Sequence, residues 1–349
     1  MTLSSQLCEI ERVRALIDTR TAAVVIGRNE GERLERGLRA VLESLKTVVY
    51  VDSDSSDGSR EVARRLGVPV VHIKEGPFTA ARGRQLGMEE VLRLHPELYY
   101  IQFIDGDCLL DPGWLERAVR HLEEHPGVGA VFGRRREERV AESFYSRLLD
   151  IDWAGFPGDA TYFGGDALVR VKAFRDAGLW SVELVSSEDM DVSFRIRKAG
   201  WTIERLPDEM TLHDVNMSRF GEYWRRAVRA GYGFAEVGLR HREGPGRFLI
   251  RRMLSSFLYA LLLPLAALAG LLWFWPLALL VVLLYLRNLW VTARHCRRKG
   301  AALGDAVAYA FLNLISKAAM MLGSSRYFLD RALGKRGPRE HLVVYRSSR

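Results

Sequence analysis

The chain has 349 residues, enough for two folded units, and it carries a formal net charge of +8 with an isoelectric point near 9.5. Residues 246–349 contain 16 Lys and Arg against three acids, whereas residues 1–245 contain 35 against 40. Because the larger part is net acidic, we expect no nucleic-acid partner. The three cysteines are odd in number and far apart, which argues against a disulfide framework and a structural zinc site.

The first 135 residues alternate short β-branched runs with longer helical patterns. This alternation predicts an α/β fold with a mostly parallel central sheet and right-handed crossovers. The start of the chain has early acids and no apolar stretch, so no signal peptide is predicted and we expect this part in the cytoplasm. The predicted strands are residues 22–26, 47–51, 69–73, 99–104 and 128–132, and the predicted helices are residues 32–45, 59–66, 80–94 and 112–124.

Polar residues follow three of these strands. The first strand runs into Asn29 and Glu30, the second into residues 52–58, and the fourth into Asp105-Gly106-Asp107. Each cluster alone is also typical of an ordinary turn. Since the carboxyl ends of parallel strands share one rim, we expect all three clusters at a single ligand-binding edge.

The middle of the chain has a mixed α and β pattern. It predicts a strand at residues 167–170, a helix at 188–198, a strand at 202–206 and a helix at 220–237. A glycine- and proline-containing break at residues 240–246 then predicts a boundary. We therefore expect a cytoplasmic domain in residues 1–245 and a membrane-anchoring region in residues 246–349.

The anchoring region begins with 34 consecutive uncharged residues, 253–286. One helix of that length would measure about 51 Å, well beyond the roughly 30 Å hydrocarbon core, so we predict two transmembrane helices at about residues 253–290. Basic residues at both ends favour the cytoplasmic side. A buried helical hairpin in a soluble domain is the alternative.

Residues 301–322 form a second apolar segment, which includes Asp305, Asn313 and Lys317. A third membrane span is one alternative, and it would place the basic tail outside. We favour an interfacial or re-entrant helix, which keeps that tail against anionic lipid on the inner side. The whole pattern predicts a multi-pass protein of the cell inner membrane with its large N-terminal domain in the cytoplasm.

Asp105 and Asp107 have the spacing of a cation site. Two carboxylates at a strand end can hold a hard divalent cation, and a cation that bridges them to a diphosphate stabilises a leaving group. A short Asp-x-Asp pair is weak by itself. Its place after a buried strand and before a predicted helix strengthens the interpretation.

Seven motifs, in order, resemble those of family-two glycosyltransferases with a GT-A fold, over most of residues 20–240. The resemblance implies a membrane-anchored, metal-dependent enzyme of the hexosyltransferase type that uses a nucleotide sugar. The motifs are Val25-Ile26-Gly27-Arg28-Asn29-Glu30-Gly31, residues 51–59, residues 78–87 with Ala80-Ala81-Arg82, Asp105-Gly106-Asp107, Gly164-Gly165-Asp166, Ser187-Glu188-Asp189 and His213.

The resemblance implies that acidic side chains bind the donor nucleotide. Glu30, Asp52 and Asp54 are expected at the base and ribose, with uridine favoured. Arg82 is expected near the base or the diphosphate. Gly83 stands where the family often has Asn, so a contact made by that side chain is in doubt.

The resemblance also implies a Mg²⁺ or Mn²⁺ site. Asp105 is expected beside the ribose or the metal, Asp107 as a ligand, and His213 as a further ligand that favours manganese because imidazole is softer than oxygen. Gly164 and Gly165 are expected to let the backbone approach the sugar, although the pair is also typical of a tight turn.

Asp189 is expected to be the general base that takes the proton of an acceptor hydroxyl, with Glu188 orienting it. Both residues also suit the start of a helix, where acids complement the macrodipole. Arg226, near Trp224, is expected to gate the donor diphosphate or to clamp a lipid-linked acceptor. An amphipathic helix that packs on the sheet is the alternative for these two residues.

Together these features predict an inverting glycosyltransferase that moves a sugar from a nucleotide-diphosphate sugar, with a UDP-sugar favoured, to a lipid-linked or polyprenyl-phosphate acceptor. A polyprenyl phosphate is already ionised and does not need Asp189 as base. One alternative is a sugar-1-phosphate nucleotidylyltransferase, whose glycine-rich opening loop is missing here. The other is a non-catalytic membrane scaffold, which intact Asp107 and Asp189 argue against.

Overall fold

The computed structural model describes residues 3–335, in which a mixed sheet with its helices precedes a group of long apolar helices. The strands are β1 (Thr21–Gly27), β2 (Val48–Asp52), β3 (Val70–His72), β4 (Tyr100–Asp105), β5 (Cys108–Leu110), β6 (Val128–Glu137), β7 (Gly158–Asp159), β8 (Ala167–Arg170) and β9 (Thr202–His213). The helices around the sheet are α1 (Leu3–Arg20), α2 (Glu32–Ser44), α3 (Ser59–Arg65), α4 (Ala80–Leu94), α5 (Trp114–Glu124), α6 (Phe144–Trp153), α7 (Val171–Ala177), α8 (Glu188–Lys198) and α9 (Phe220–Arg240). The helices that follow are α10 (Arg247–Phe257), α11 (Leu263–Trp273), α12 (Trp275–Arg298) and α13 (Leu303–Ala332).

Within the described residues, the strands form one sheet in the order β3-β2-β1-β4-β8-β6-β9-β5, with β7 paired to β9. β1 is parallel to β2 and β4, and β6 is parallel to β9, whereas β8 runs antiparallel between β4 and β6. The predicted α/β fold with a mostly parallel sheet is therefore confirmed. The carboxyl ends of β1, β2, β4, β6 and β9 lie on one rim.

Apolar layers cover both faces of the sheet. All of β1 and β2 is buried, and alternate residues of β1 belong to opposite layers. One layer includes residues of α1, α2, α3 and α5, and the other includes residues of α4, α7 and α8. Burial of both faces explains why these strands are continuous β-branched runs.

The strands and helices predicted between residues 20 and 240 are present, and the structure adds five elements that were not predicted: α1, β5, α6, β7 and α7. The predicted end of the last strand at residue 206 is wrong, because β9 continues past Pro207 to His213. Register shifts between β6 and β9 near Phe132 and Arg134 accompany this proline. The extension matters because it brings His213 to the rim.

The helices after the sheet are apolar and outward-facing. α10, a π-helical turn at Leu258–Leu262 and α11 make one continuous helix of 27 residues, and α12 returns from a turn at Phe274 with 24 residues. Both are long and apolar enough to cross a membrane. They coincide with the two predicted spans, and Trp273 and Trp275 at the tip are 80% and 71% exposed.

α13 also has the length and composition of a membrane span, but it lies along the sheet domain. Asp305 at its start accepts a hydrogen bond from Arg147 of α6 at 2.8 Å. Gly323 in its middle lies directly against the backbone of α9. Near its end, the Tyr327 ring lies 5.4 Å from that of Tyr232 in α9. A helix in contact with one domain at its start, middle and end runs along the surface of that domain.

Candidate active site

Asp105, the last residue of β4, is held by two arginines. Its Oδ1 accepts a hydrogen bond from Arg84 Nη2 at 2.6 Å, and its Oδ2 accepts one from Arg135 Nη2 at 3.0 Å. Burial acts to raise the pKa of Asp105, but the two guanidinium charges outweigh burial and lower it. The carboxylate is therefore ionised, and the chain itself compensates its charge.

The turn at Gly164-Gly165-Asp166 supports Asp105. Asp166 is buried and accepts hydrogen bonds from the Asp105 backbone N–H and from Arg135 Nε, both at 3.0 Å. A Cβ at Gly165 would lie 2.6 Å from Nη2 of Arg84, the second arginine that binds Asp105, so glycine is needed there. A Cβ at Gly164 would meet open space, which suits a backbone that a substrate approaches.

Asp107 and His213 form the pair that could hold a metal ion. His213 Nε2 lies 3.3 Å from Asp107 Oδ2, and the pairing of β5 with β9 sets this approach. Burial acts to raise the pKa of Asp107, but the charge of His213 lowers it well below its usual range. Cys108 Sγ lies within 4.8 Å of both ligand atoms, but burial raises the pKa of the thiol, and a protonated thiol is a weak ligand.

His213 is protonated in this arrangement. Burial and the charge of Arg135 act to lower its pKa, but Asp107 and Glu137 outweigh them and raise it to about 9. The imidazolium thus supplies the positive charge that the buried carboxylates require. A divalent cation can replace that proton, because metal binding to histidine releases one.

Glu137, at the end of β6, lies behind His213 and was not singled out by the sequence analysis. It is 3% exposed, and its Oε1 accepts hydrogen bonds from His213 Nδ1 and from Trp153 Nε1, both at 2.6 Å. Its Oε2 accepts one from the Val215 backbone N–H at 3.3 Å. A carboxylate bonded to Nδ1 fixes the ring so that Nε2 faces Asp107.

Glu188 and Asp189 begin α8, as predicted. Arg84 Nη1 donates to Glu188 Oε1 at 2.7 Å, so one guanidinium joins Asp105 and Glu188. Asp189 Oδ1 accepts a hydrogen bond from the Met190 backbone N–H at 2.8 Å. Burial, and then the charge of Glu188, raise the pKa of Asp189 to about 7. Asp189 can therefore exchange a proton near neutral pH while it lies beside the Asp105 network.

Asp52 and Asp54 lie in the loop after β2. Asp52 is buried, and it accepts hydrogen bonds from the Tyr50 hydroxyl at 3.0 Å and the Ser55 backbone N–H at 2.9 Å. These bonds shape the loop. Asp54 is more exposed, and its Oδ1 lies 3.2 Å from His72 Nε2 at the end of β3. Both acids are at the predicted edge of the sheet, and a nucleotide contact remains a prediction for each.

Glu30, after β1, faces the same rim. Its Oε2 lies 2.7 Å from Arg33 Nη2. Burial, and then the charge of Asp107, raise the pKa of Glu30 to about 7 in spite of this ion pair. Glu30 thus lies within the electrostatic field of the Asp107–His213 pair.

Arg84, two residues after Arg82 in α4, is the arginine that binds Asp105. Arg82 Nη1 donates to the carbonyl groups of Glu75 at 2.6 Å and Pro77 at 3.4 Å, in the loop before α4. Two positions along a helix differ by about 200° in direction, so the two arginines point to opposite sides of α4. Arg84 is 2% exposed and supplies the arginine that binds Asp105.

Arg226 of α9 reaches the site through Trp153. Its guanidinium lies 5.2 Å from the centre of the Trp153 ring, and that of Arg135 lies at the same distance. Trp224 instead packs on Phe220, with ring centres 5.8 Å apart. Arg226 is therefore next to the indole that supports Glu137, whereas Trp224 belongs to the packed surface of α9.

Comparison with known proteins gives matches over most of the chain. The family model described as glycosyl transferase family group 2 matches residues 100–320, and that of glycosyl transferase family 2 matches residues 22–176. The chain is 26% identical to glycosyltransferase AglE of Haloferax volcanii, over 61% of this chain and 72% of AglE. It is 25% identical to succinoglycan biosynthesis protein ExoA of Rhizobium meliloti, over 68% of this chain and 75% of ExoA.

Among solved structures, the chain is similar to the mannosyltransferase PcManGT from Pyrobaculum calidifontis, which was solved in complex with GDP-Man and Mn²⁺. The TM-score is 0.54 at 19% identity, and the match covers 94% of this chain and 96% of that one. This likeness concerns the fold, and it confirms the expected GT-A architecture followed by apolar helices.

Proposed function

Because the chain belongs to glycosyl transferase family group 2, it is a glycosyltransferase that uses a nucleotide-sugar donor, and we propose that it transfers the sugar with inversion to a lipid-linked acceptor. The observation that carries this proposal is Arg84, which bonds Asp105 at the donor rim and Glu188 beside the proposed base. The buried guanidinium of Arg84 thereby keeps the residues proposed to bind the donor next to those proposed to act on the acceptor.

Asp107 and His213 are the proposed ligands of a divalent cation. An ionised carboxylate and an imidazole oriented by Glu137 suit such an ion, and the imidazole favours Mn²⁺ over Mg²⁺. A cation held there neutralises the charge that develops on the departing diphosphate. Asp105, already compensated by two arginines, is assigned to the ribose. The Mn²⁺ in the PcManGT complex supports a divalent cation in the site.

Asp189 is the proposed general base. It takes the proton of an acceptor hydroxyl while the hydroxyl oxygen attacks the anomeric carbon from the side opposite the diphosphate. A pKa of about 7 lets a large fraction of Asp189 be ionised at neutral pH and still gives useful basicity. Glu188, fixed by Arg84, orients the base or the acceptor.

The proposed nucleotide pocket is the rim beyond β1 and β2. Glu30, Asp52 and Asp54 are assigned to the base and ribose, with uridine favoured, and PcManGT makes guanosine the alternative to test. Gly164, where a Cβ would meet open space, is assigned to the approach of the sugar, and Gly165 to the close contact with Arg84 and Asp105 that supports it.

Two arginines have donor roles that need separate assignments. Arg226 is proposed to turn from Trp153 to the donor diphosphate when the nucleotide sugar binds. Arg82, whose guanidinium binds the Glu75 and Pro77 carbonyl groups in the loop after β3, remains assigned to the base or the diphosphate.

The proposed location is the inner membrane, with the sheet domain in the cytoplasm. The helix pair formed by α10–α11 and α12 spans the bilayer, and α13 lies in the interface. The contacts of α13 with α6 and α9 along its whole length support an interfacial rather than a spanning position. The anchor confines the enzyme to the surface that carries a lipid-linked acceptor.

The direct test is to incubate the purified full-length protein with Mn²⁺, a panel of UDP and GDP sugars and a membrane lipid extract, and to identify products by mass. The proposal expects a lipid that gains one sugar and release of a nucleoside diphosphate. A parallel incubation with nucleoside triphosphates and a sugar 1-phosphate tests the nucleotidylyltransferase alternative, which release of pyrophosphate would support. No turnover of any donor would support a scaffold.

A further inference from the structure

Two stacked aromatic side chains, Tyr162 and Phe248, lead from the proposed base toward the apolar helices; we refer to them as the aromatic row. Their ring centres are 5.7 Å apart with planes 6° from parallel, and both rings are partly exposed. Met190, which follows Asp189, packs in the same cluster. The charge of Asp189 also acts on the Tyr162 hydroxyl. The aromatic row therefore connects the neighbourhood of Asp189 with the start of α10.

Two cations lie at the far end of this row, and we refer to Arg252 and Lys317 as the basic pair. The Arg252 guanidinium lies 5.8 Å from the centre of the Phe248 ring and 5.5 Å from that of Phe234. Lys317 of α13 is partly buried one turn before Met320, which packs in the same cluster as Phe248. It lies close enough to Arg252 for the two charges to repel each other.

The basic pair has no ion pair with a carboxylate within the described part of the chain. Two like charges beside an apolar surface are unfavourable together until an anion lies between them. This arrangement contrasts with Asp105, whose charge is met by two arginines of the same chain. The basic pair is therefore arranged to receive negative charge from outside the protein.

The position of the basic pair indicates the kind of anion. Arg252 lies in α10, at the start of the first proposed membrane span. Lys317 lies in α13, which is proposed to lie in the membrane interface. Basic pockets between membrane helices on the cytoplasmic side bind anionic lipid headgroups. Phosphate suits this pair because arginine binds it through paired N–H groups and lysine binds it as a point charge.

We propose that the basic pair binds the phosphate or diphosphate of the acceptor, so that the acceptor is a lipid-linked saccharide. Its sugar lies along the aromatic row, and its hydroxyl reaches Asp189. The inference rests on the proposed function and assigns it an acceptor class. A phosphate as nucleophile fits less well, because the negative charge of Asp189 repels a phosphate brought to the anomeric carbon.

The bond changes in this reaction balance without a further reactant. The acceptor hydroxyl oxygen forms a bond to the anomeric carbon, and its proton passes to the Asp189 carboxylate. The bond between the anomeric carbon and the nucleoside diphosphate breaks, and its electron pair leaves with the diphosphate. The acceptor phosphate stays on the basic pair and is unchanged by the reaction.

The experiment uses the full-length protein in neutral phosphatidylcholine vesicles and three fluorescent probes. These are a short polyprenyl diphosphate that carries one sugar, the same sugar joined to the polyprenol without phosphate, and a polyprenyl phosphate without sugar. The variants are Arg252→Gln and Lys317→Gln. Arg251→Gln is the matched control, because it removes the same charge from an exposed neighbour about 100° away around α10.

Each variant of the basic pair is expected to weaken binding of the diphosphate-linked sugar about tenfold. Binding of the phosphate-free probe and of UDP is expected to be unchanged, and Arg251→Gln is expected to match the unaltered protein. If Lys317→Gln melts at a lower temperature, Arg252→Gln alone decides, because Arg252 is exposed and its replacement leaves no cavity.

Three results would overturn the proposal. The first is an equal loss of binding in Arg251→Gln, and the second is competition by anionic phospholipid as strong as that by the probe, which would assign the basic pair to bulk lipid. The third is transfer of sugar to the polyprenyl phosphate by an Asp189→Asn variant at the full rate. Binding is measured without turnover, so the two proposals can fail separately. A protein that binds the probe but transfers no sugar would contradict the proposed function and still support phosphate binding by the basic pair.

Discussion

The donor rim and the proposed acceptor side of this site differ in whether the chain itself compensates their charges. At the donor rim, Asp105 is held by two arginines and Asp107 by His213, so the chain supplies its own counter-charges. On the acceptor side, Arg252 and Lys317 lie together beside apolar helices whose outer faces are exposed. The donor rim is therefore preorganised in the protein alone, whereas the proposed acceptor side presents positive charge that the described part of the chain does not compensate.

The largest effect is expected where the two regions meet, at Asp189. Asp189→Asn removes the base and should lower the rate of transfer to a hydroxyl acceptor by about 10²–10⁴-fold. Donor affinity should stay unchanged, because the donor rim keeps its ion pairs. The check is kcat together with the dissociation constant of the nucleotide sugar. Asp176→Asn, on the exposed side of α7, is the control. A rate near that of the unaltered protein would contradict the role as base.

The preorganisation of the donor rim can be broken at Arg84. Arg84→Met leaves Asp105 and Glu188 without their shared partner and should lower the free energy of unfolding by about 3–5 kcal/mol. Arg82→Met removes an arginine from the other side of the same helix and should change it by less than about 0.5 kcal/mol. Denaturation of both variants in detergent measures the difference. Equal losses would mean that the ion pairs of Arg84 do not hold the rim together.

A smaller effect is expected from Glu137, which lies behind His213 and supports the proposed metal ligands. Glu137→Gln weakens the bond that orients His213 and should lower Mn²⁺ affinity by about 10–100-fold. Glu138→Gln changes the next residue, which pairs with Arg36 at the surface, and should leave Mn²⁺ affinity unchanged. Calorimetric titration of Mn²⁺ in the presence of UDP checks both. Equal affinities in the two variants would remove Glu137 from the metal site.

The smallest effect is the pH dependence of transfer. The carboxyl group of Asp189 has a raised pKa of about 7 and acts as a base only when ionised. The value of kcat/KM should therefore rise with pH and level off above about 7, and below that it should fall about tenfold per pH unit. Measurement from about pH 5.5 to 8.5 checks the profile. A flat profile over this range would indicate an acceptor that needs no base.

The sequence was sufficient for the sheet and for most of its rim. Buried strands keep continuous β-branched runs, and acids that follow such runs at the carboxyl end are easily recognised, as with Asp105 and Asp107. The short strand β5 could not be predicted, because three residues carry no periodicity. Its pairing with β9 is what brings His213 to Asp107.

Direction around a helix is the reason that Arg84 was not predicted, whereas the donor contact of Arg82 stays a prediction. Arg82 and Arg84 differ by two positions, and only the phase of α4 against the sheet decides which one faces Asp105. Arg82 was singled out because it completes the Ala80-Ala81-Arg82 motif. A helical projection with the apolar residues of α4 turned to the sheet would have found Arg84.

Glu137 was missed for a different reason. It follows three arginines, and a run of charged residues is typical of an exposed loop. In the structure β6 continues through that run, and the register shifts against β9 accommodate it. Whether a charged run is a loop or a strand at the edge of a site depends on the neighbouring strand, which local sequence does not specify.

The most direct test of the account is calorimetric titration of UDP and GDP with and without Mn²⁺, for the unaltered protein and Asp107→Asn. The account predicts that Mn²⁺ raises the affinity of the preferred nucleotide at least about tenfold in the unaltered protein and has no effect in the variant. Equal nucleotide affinity with and without Mn²⁺ in the unaltered protein would contradict it.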